Sequence, residues 1–116
     1  MKKIYHLSTC DTNKRILKEL NLSSEFEKQD IKKNPITENE LEELHQLSGN
    51  YEALINKRAK LYSERKLKEK NIQESEFKKL LLEHYTFLKR PVLINEQQIF
   101  IGNSKNVIAA AKESLS

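Results

Sequence analysis

The sequence predicts an α/β sandwich built on a small mixed β-sheet. Two observations lead to this fold class. Short runs of β-branched and aromatic residues alternate along the chain with segments in which apolar residues recur every three or four positions. The segments follow the order β, α, β, α, α, α, β, β, α. With 116 residues, the chain fits one domain that can bury a core without disulfides or a structural metal.

The first three elements are predicted to be a strand, a helix and a second strand. KKIYHL, near the N-terminus, is rich in aromatic and β-branched residues, which favours a strand. DTNKRILKEL (11–20) has a single inward helical face, formed by Asn13, Ile16, Leu17 and Leu20. EFEKQDIKK (25–33) indicates a second strand, although its apolar residues do not alternate cleanly.

The next helix is predicted from the signals at its two ends. Pro35 breaks the chain before it, and Thr37 with Glu40 three residues later makes a capping box. Gly49 is the residue type that ends a helix. Leucines lie at helical spacing between these signals, so we expect a helix that starts after Thr37 and closes at Gly49.

Apolar spacing alone predicts two longer helices. Residues 51–67 carry one apolar stripe, formed by Tyr51, Leu54, Ile55, Leu61 and Tyr62. Arg58 falls on the same stripe. Residues 74–88 carry a second stripe, on which His84 is expected to be a hydrogen-bonded core residue. Neither His84 nor His45 has a second ligand nearby, so no metal site is expected.

The C-terminal part is predicted to be a hairpin followed by a helix. PVLINEQQIFIG (91–102) consists of two apolar, β-branched runs around residues 95–98, which indicates a β-hairpin. NSKNVIAAAKESL predicts a terminal helix that is capped by Asn103 or Ser104. These elements complete the predicted order.

Composition restricts the classes of function. The 21 Lys and Arg against 17 Asp and Glu leave a net charge of +4, and the two signs are interspersed along the predicted helices, so we expect no direct nucleic-acid binding. No run of 18 apolar residues exists, and the N-terminus lacks the apolar stretch of a signal peptide, so a cytoplasmic protein without membrane association is expected. With two glycines in all, the chain has no glycine-rich phosphate loop.

Cys10 is the first candidate catalytic residue. It lies just ahead of the helix that begins near Asp11, where unpaired N–H groups and the helix dipole stabilise a thiolate and attract an oxyanion. The alternative is an inert buried thiol, which the adjacent negative charge of Asp11 favours. His6 either orients and deprotonates this thiol or is a structural histidine. As the only cysteine, Cys10 cannot form an internal disulfide.

Two arginines are candidate anion-binding residues. On its apolar stripe, the side chain of Arg58 either extends to solvent along its stem or meets an anion. Lys89 and Arg90 place a basic pair before Pro91, at the start of a predicted strand. The peptide bond before a proline can be cis at modest cost.

Four blocks of the sequence carry a resemblance to a known family over nearly the whole chain: IYHLSTCDTNKRILKEL, DIKKNPITENELEEL, ALINKRAKLYSERKL and LLLEHYTFLKRPVLINEQQIFIG. Together they resemble the glutaredoxin-linked arsenate reductase (ArsC) family, with its Spx-type regulatory branch. The resemblance implies a thioredoxin-like sandwich in a single domain of residues 1–116, with an inserted helical subdomain at about 37–88. It also implies a cis bond before Pro91, beside the cysteine loop.

The resemblance further implies a chemistry for Cys10. This residue matches a nucleophilic cysteine whose thiolate attacks the arsenic of arsenate, giving an adduct that glutathione and glutaredoxin then reduce. His6 falls at the position of a histidine found near that cysteine in some arsenate reductases. No bound cofactor is expected, and glutathione would enter as a co-substrate.

The resemblance also implies the residues that bind the substrate. Arg90 matches an arginine that holds the oxyanion, and Arg58 matches an arginine of the regulatory and uncharacterised branches. Thr12 and Asn13, in the first turn of the helix that follows Cys10, complete the expected substrate-binding set.

The chain departs from the family at two positions. Gly102 stands where arsenate reductases have the arginine of a Cys-Arg-Pro run, which removes a charge-assisted hydrogen bond worth about 1.5 to 3 kcal/mol. Asn13 stands where Spx-type regulators have a second cysteine, so a two-cysteine switch within the chain is excluded.

Three functions therefore remain open. The first is a reductase in which Cys10 attacks a small oxyanion or a glutathione-linked substrate. The second is a regulatory protein that contacts RNA polymerase or another partner. The third is a family member whose enzymatic activity has been lost.

Overall fold

The structure, a computed structural model, describes all residues from 1 to 116 and has the predicted order of elements. Four strands form one sheet: β1 (Lys2–His6), β2 (Glu27–Asp30), β3 (Val92–Asn95) and β4 (Gln98–Ile101). Five α-helices accompany them: α1 (Asp11–Leu20), α2 (Glu38–Ser48), α3 (Lys60–Glu64), α4 (Glu74–Glu83) and α5 (Lys105–Leu115). None of these helices is long and apolar enough to cross a membrane.

The sheet is mixed, as predicted. Its strand order is β2-β1-β3-β4, with β1 and β2 parallel and the other two pairs antiparallel. The predicted hairpin is confirmed, because β3 and β4 pair from Val92 opposite Ile101 to Asn95 opposite Gln98. Its two-residue turn places Glu96 at a φ of 59°.

The chain forms two compact units. The first consists of Met1–Asn34 and Arg90–Ser116, and the second is Pro35–Lys89. The helical subdomain expected at about 37–88 falls within the second unit. In the first unit, α1 and α5 cover one face of the sheet around one buried cluster, formed by Ile4, Ile16, Leu20, Phe26, Leu93, Ile108 and Ala111.

Both predicted caps act at the expected helix starts. The Thr37 hydroxyl accepts a hydrogen bond from the Glu40 N–H at 3.1 Å, and the Glu40 carboxylate accepts one from the Thr37 N–H at 2.9 Å. At the start of α5, the Ser104 hydroxyl accepts from the Val107 N–H at 3.2 Å, so Ser104 is the cap and Asn103 is not.

The predicted helix over 51–67 is wrong. The segment contains a 3₁₀-helix at Glu52–Leu54, then α3, then a 3₁₀-helix at Leu67–Glu69. Asn56 interrupts it: its N–H donates to the Phe87 carbonyl at 2.7 Å, and its side-chain oxygen accepts from the Arg58 N–H at 3.0 Å. An asparagine side chain that bonds nearby backbone competes with a continuing helix. The apolar spacing therefore marks buried residues without marking a continuous helix.

The predicted helix over 74–88 is too long. α4 ends at Glu83, and His84 has an extended backbone with φ −151° and ψ 137°. His84 Nδ1 instead accepts from the Thr86 N–H at 3.2 Å and caps a 3₁₀-helix at Tyr85–Phe87. His84 is half-buried, so its expected hydrogen bond is present but the residue is only partly in the core.

Candidate active site

One end of the sheet carries most of the predicted site residues of the first unit. β1 ends at His6, which lies opposite Asp30, the last residue of β2. Tyr5 lies opposite Val92, so the chain that precedes Val92 runs beside the chain that follows Tyr5. Pro91 and the loop toward Cys10 therefore lie at the same end of the sheet as His6.

The loop after β1 places Cys10 at the N-terminus of α1. The Cys10 N–H donates to the Leu7 carbonyl at 3.1 Å, and the Cys10 carbonyl accepts the first helical hydrogen bond from Lys14 at 3.0 Å. Cys10 is half-buried and occupies the N-cap position without making a side-chain capping bond. The first-turn N–H groups and the helix dipole consequently create a positive potential at this point, which attracts an anion.

Asn13 fixes the surroundings of the sulfur. Its side chain is buried, and Oδ1 accepts from the Leu7 N–H at 2.9 Å. This bond orients the amide so that Nδ2 donates to Cys10 Sγ at 3.6 Å. The sulfur therefore has an N–H donor beside it, and a hydrogen bond from such a donor is stronger to an ionised acceptor than to a neutral one. Asn13 was expected to bind substrate; the structure shows its amide engaged with the loop and the thiol.

The residues next to Cys10 leave this helix end accessible. Thr12 is half-buried in the first turn of α1. The Asp11 carboxylate is fully exposed and lies 3.9 Å from Lys14 Nζ. Solvent and this lysine screen the negative charge of Asp11, which reduces its expected opposition to a thiolate.

His6 is held in its neutral form at pH 7. Burial lowers the pKa of His6 below its ordinary value of 6.5, and the negative charge of Asp30 offsets this effect only in part. Nδ1 of His6 is buried and makes no hydrogen bond. A neutral imidazole is the form that can accept a proton from a thiol.

Asp30 and Ser8 belong to this end of the sheet, although sequence reasoning missed them. The Ser8 hydroxyl donates to the Asp30 carboxylate, as do the N–H groups of Ser8 and Lys32. These bonds, the hydroxyl first, hold the pKa of Asp30 below its ordinary value of 3.8. Their placement depends on the parallel pairing of β1 with β2, which brings the end of β2 to the same edge as the cysteine loop and which the weak alternation of β2 does not predict.

The Arg90–Pro91 bond is cis, which is the isomer that the resemblance implies. Arg90 is half-buried. The Pro91 carbonyl accepts from the Gly102 N–H at 2.9 Å, and Gly102 has a φ of 94°. Any other residue at 102 would be strained in this left-handed conformation. An arginine introduced at position 102 by a single substitution would therefore be strained.

Arg58 lies in the second unit, in the turn between Asn56 and α3. It is exposed and makes no ion pair or side-chain hydrogen bond. The prediction that Arg58 lies on the apolar stripe of a helix is wrong, because the backbone hydrogen bonds of a helix do not continue through Asn56. Its role in holding an anion stays a prediction.

The family model of ArsC matches residues 5–111 of the chain. No curated protein matches. Among solved structures, an arsenate reductase from Vibrio cholerae is 19% identical with a TM-score of 0.76, covering 97% of this chain and 95% of its own. A protein related to arsenate reductase from Brucella melitensis is 24% identical with a TM-score of 0.69, covering 94% and 92% respectively. A Staphylococcus aureus COL protein is 25% identical with a TM-score of 0.71, covering 95% and 97%.

These similarities agree with the geometry described above. The solved structures share the thioredoxin-like α/β fold over nearly their whole length. The family match spans the cysteine loop, the cis-proline and most of α5. It supports a thiol-dependent redox role for the chain. The chain therefore belongs to the ArsC family.

Proposed function

We propose that this protein is a thiol-dependent reductase in which Cys10 attacks a small oxyanion such as arsenate, or a glutathione-linked substrate. One observation carries the proposal. The Cys10 sulfur lies at an uncapped helix N-terminus and receives a hydrogen bond at 3.6 Å from the buried amide of Asn13. This arrangement favours a thiolate beside N–H donors that can bind an oxyanion. Membership of the ArsC family supports the redox role.

Each turnover requires two external thiols. The Cys10 thiolate forms a sulfur–arsenic bond with arsenate, and one arsenate oxygen leaves as water after protonation. Glutathione then attacks the Cys10 sulfur and breaks the sulfur–arsenic bond. Cys10 and glutathione form a mixed disulfide, and the electron pair of the broken bond stays on arsenic, which is reduced from the +5 to the +3 state. The two sulfur atoms supply the two electrons. A second glutathione, or glutaredoxin, exchanges with the mixed disulfide and restores Cys10.

The proposal also gives a role to each of the other candidate residues. Neutral His6 accepts the proton of the Cys10 thiol, and Arg90, before the cis-proline, supplies positive charge to the oxyanion. For Arg58, in the second unit, a role in binding the anion is implied by the family resemblance alone. Thr12 contributes to the first turn of α1, where backbone N–H groups face the incoming anion.

Gly102 weakens the case for arsenate as the only substrate. Gly102 has no guanidinium where the resemblance implies the third arginine of the arsenate reductases, at a cost of about 1.5 to 3 kcal/mol in charge-assisted bonding. A mixed disulfide of glutathione carries less charge at its reacting sulfur and does not need a third cation. Both substrate classes therefore belong in the test.

The experiment is a coupled assay of NADPH oxidation with glutathione, glutaredoxin and glutathione reductase, started with arsenate or with a glutathione mixed disulfide. We expect activity with at least one substrate and none above background for Cys10→Ser. Equal rates for the wild type and Cys10→Ser with both substrates would overturn the proposal.

Protection by anions tests the oxyanion site separately. At pH 6 to 7, iodoacetamide should alkylate Cys10 faster than it alkylates free glutathione, because the helix end favours the thiolate. Sulfate or arsenate should slow the reaction of Cys10. An alkylation rate equal to that of glutathione and indifferent to both anions would contradict an anion site at this thiol.

A further inference from the structure

The positive charge of the chain is concentrated in one stretch of the second unit. Residues 57–70, called the basic segment from here on, contain seven Lys or Arg and two Glu, a net charge of +5. The other 102 residues contain 14 Lys or Arg and 15 Asp or Glu, a net charge of −1. Outside the basic segment the two signs are balanced, as expected from composition; within it they are not.

The fold keeps this charge on the surface in a compact stretch. All nine charged residues of the basic segment are exposed. Ala59, Tyr62 and Leu67 are buried and anchor the segment. Successive backbone hydrogen bonds fold residues 59–70 into turns, including those from Arg65 to Leu61 and from Lys70 to Leu67. The cations are therefore held together on ordered backbone.

Ion pairs neutralise some of these cations and leave others. Lys57 pairs with Glu52, Lys60 with Glu64, and Arg65 with Glu83. No ion pair or side-chain hydrogen bond is made by Lys66, Lys68 or Lys70. These three ammonium groups lie within five residues, around the 3₁₀-helix at Leu67–Glu69, and with the exposed carboxylate of Glu69 they give a local net charge of about +2.

The spacing of the unpaired lysines suits a phosphate backbone. Lys66 and Lys70 flank the 3₁₀-helix in left-handed and extended conformations, so their Cα atoms are separated by at most about 14 Å. One strand of B-DNA carries a phosphate about every 3.4 Å along the helix axis. Three flexible lysines over this distance can each reach a separate phosphate.

The composition of the surface distinguishes between classes of partner. Protein interfaces are depleted in lysine and enriched in aromatic residues, whereas the one aromatic residue of the basic segment, Tyr62, is buried. Membrane-surface segments insert apolar side chains, and the exposed large hydrophobic residues of this protein, Met1 and Leu82, lie outside the segment. Exposed lysine without exposed aromatic or apolar groups is the pattern of contact with phosphates, which carries no base information.

We propose that the basic segment binds the phosphate backbone of nucleic acid without reading base sequence. The interaction is independent of the thiol chemistry, so it neither requires the reductase function nor supports it. The charge balance of the whole chain led us to expect no nucleic-acid binding. That balance is an average, which hides the local excess of positive charge in the basic segment.

Fluorescence anisotropy with a labelled DNA duplex of about 20 base pairs tests this proposal between about 50 and 200 mM salt. The test variant is the full-length protein with Lys66→Gln, Lys68→Gln and Lys70→Gln. The matched control carries Lys18→Gln, Lys32→Gln and Lys105→Gln, which are exposed lysines outside the basic segment. Both variants lose three charges, so only the position of the charges differs.

The wild type should bind two duplexes of unrelated sequence with equal affinity. The test variant should bind at least about tenfold more weakly at low salt, and its salt slope should be smaller by about 2.7, since each phosphate contact contributes about 0.9. The control should stay within about threefold of the wild type. The Cys10 alkylation rate and the thermal midpoint should be unchanged in the test variant, which shows that it is folded.

Each of three results would overturn the proposal. Equal losses of affinity in the test variant and the control would show that only net charge matters. Tighter binding to vesicles of anionic phospholipid than to the duplex would assign the segment to a membrane surface. No binding at about 50 mM salt, with protein up to about 100 μM, would remove the interaction altogether.

Discussion

The starts of α1 and α2 differ in what occupies their first-turn N–H groups. At α2, Thr37 and Glu40 satisfy each other's backbone N–H in a complete capping box. At α1, the N-cap is Cys10, whose side chain makes no capping bond. The residue at the position equivalent to Glu40 is Asn13, whose amide reaches back to Leu7 and to the sulfur instead. The start of α2 is therefore closed, since its own side chains cap it, and the start of α1 is open, since no side chain caps it.

This difference separates a stabilising cap from a reactive one. A Thr or Ser cap contributes about 1 kcal/mol, and α1 lacks this contribution. Because no side chain caps α1, the N–H groups of its first turn remain accessible to an anion. The sulfur lies within the positive electrostatic potential of these groups. The start of α1 lacks a capping side chain and lies next to a buried amide that donates to a thiol. This arrangement indicates a reactive site, whereas the capping box of α2 stabilises the fold.

The largest effect is expected at the open helix start. Asn13→Ala leaves the buried Leu7 N–H without its acceptor and should lower the free energy of unfolding by about 2 kcal/mol. It also removes the donor to Cys10, so alkylation at pH 7 should slow. Urea unfolding and iodoacetamide kinetics measure the two effects. The matched control is Asn39→Ala in the first turn of α2, an exposed residue that makes no side-chain hydrogen bond; it should change neither.

Asn13→Asp separates the two functions of the amide. The carboxylate can still accept from the Leu7 N–H, but it presents an oxygen to the sulfur where the amide presented an N–H. Alkylation should therefore be slower in Asn13→Asp than in Asn13→Ala, because the negative charge opposes the thiolate. A wild-type alkylation rate in both variants would show that the bond to the sulfur has no chemical effect.

The closed helix start should respond in stability alone. Thr37→Ala removes the acceptor for the Glu40 N–H and should lower the free energy of unfolding by about 1 kcal/mol. Thr37→Ser keeps the hydroxyl and should restore most of the loss. Neither change should alter the alkylation of Cys10. A change in that rate for Thr37→Ala would contradict the separation of the two helix starts.

These two helix starts also show how far the sequence predicts the structure. The capping box of α2 and the N-cap position of Cys10 follow from residues within one helical turn, and both are confirmed. The helix predicted over 51–67 failed because Asn56 pairs with Phe87, a partner 31 positions away that the local pattern does not contain. Apolar spacing predicted burial correctly there, since Leu54 and Tyr62 are buried.

The candidate site likewise has a part that the sequence predicted and a part that it did not. The sequence predicted Cys10 and its place ahead of a helix. The hydrogen bond from Asn13 to the sulfur depends on the conformation of the loop after β1, which no periodicity describes. The placement of Asp30 beside His6 depends on parallel pairing of β1 with β2, whose weak alternation made its register unpredictable.

A smaller effect is expected when the open helix start is closed. Cys10→Ser places a hydroxyl at the N-cap, where it can accept from a first-turn N–H as Ser104 does in α5. It should therefore be more stable than Cys10→Ala by about 0.5 to 1 kcal/mol, measured by urea unfolding, while both lack the thiol. Equal stability of the two variants would show that the first-turn donors at α1 are not available to a side chain, and by extension not to an anion.

The smallest effect concerns His6 and the dependence of stability on pH. Burial lowers the pKa of His6 below 6.5, so below that pH the unfolded chain binds a proton that the folded chain does not. The resulting destabilisation grows as pH falls from 6.5 to the folded pKa and is constant below it. Because His6 is only half-buried, solvent screening keeps this effect smaller than those of the other substitutions. His6→Gln, followed by urea unfolding at several pH values from 7.5 to 5, should remove this part of the decline, whereas His45→Gln on α2 should leave it intact. A decline of equal size in His6→Gln and the wild type would mean that His6 is no harder to protonate in the folded protein, and its assignment as the neutral proton acceptor for Cys10 would fail.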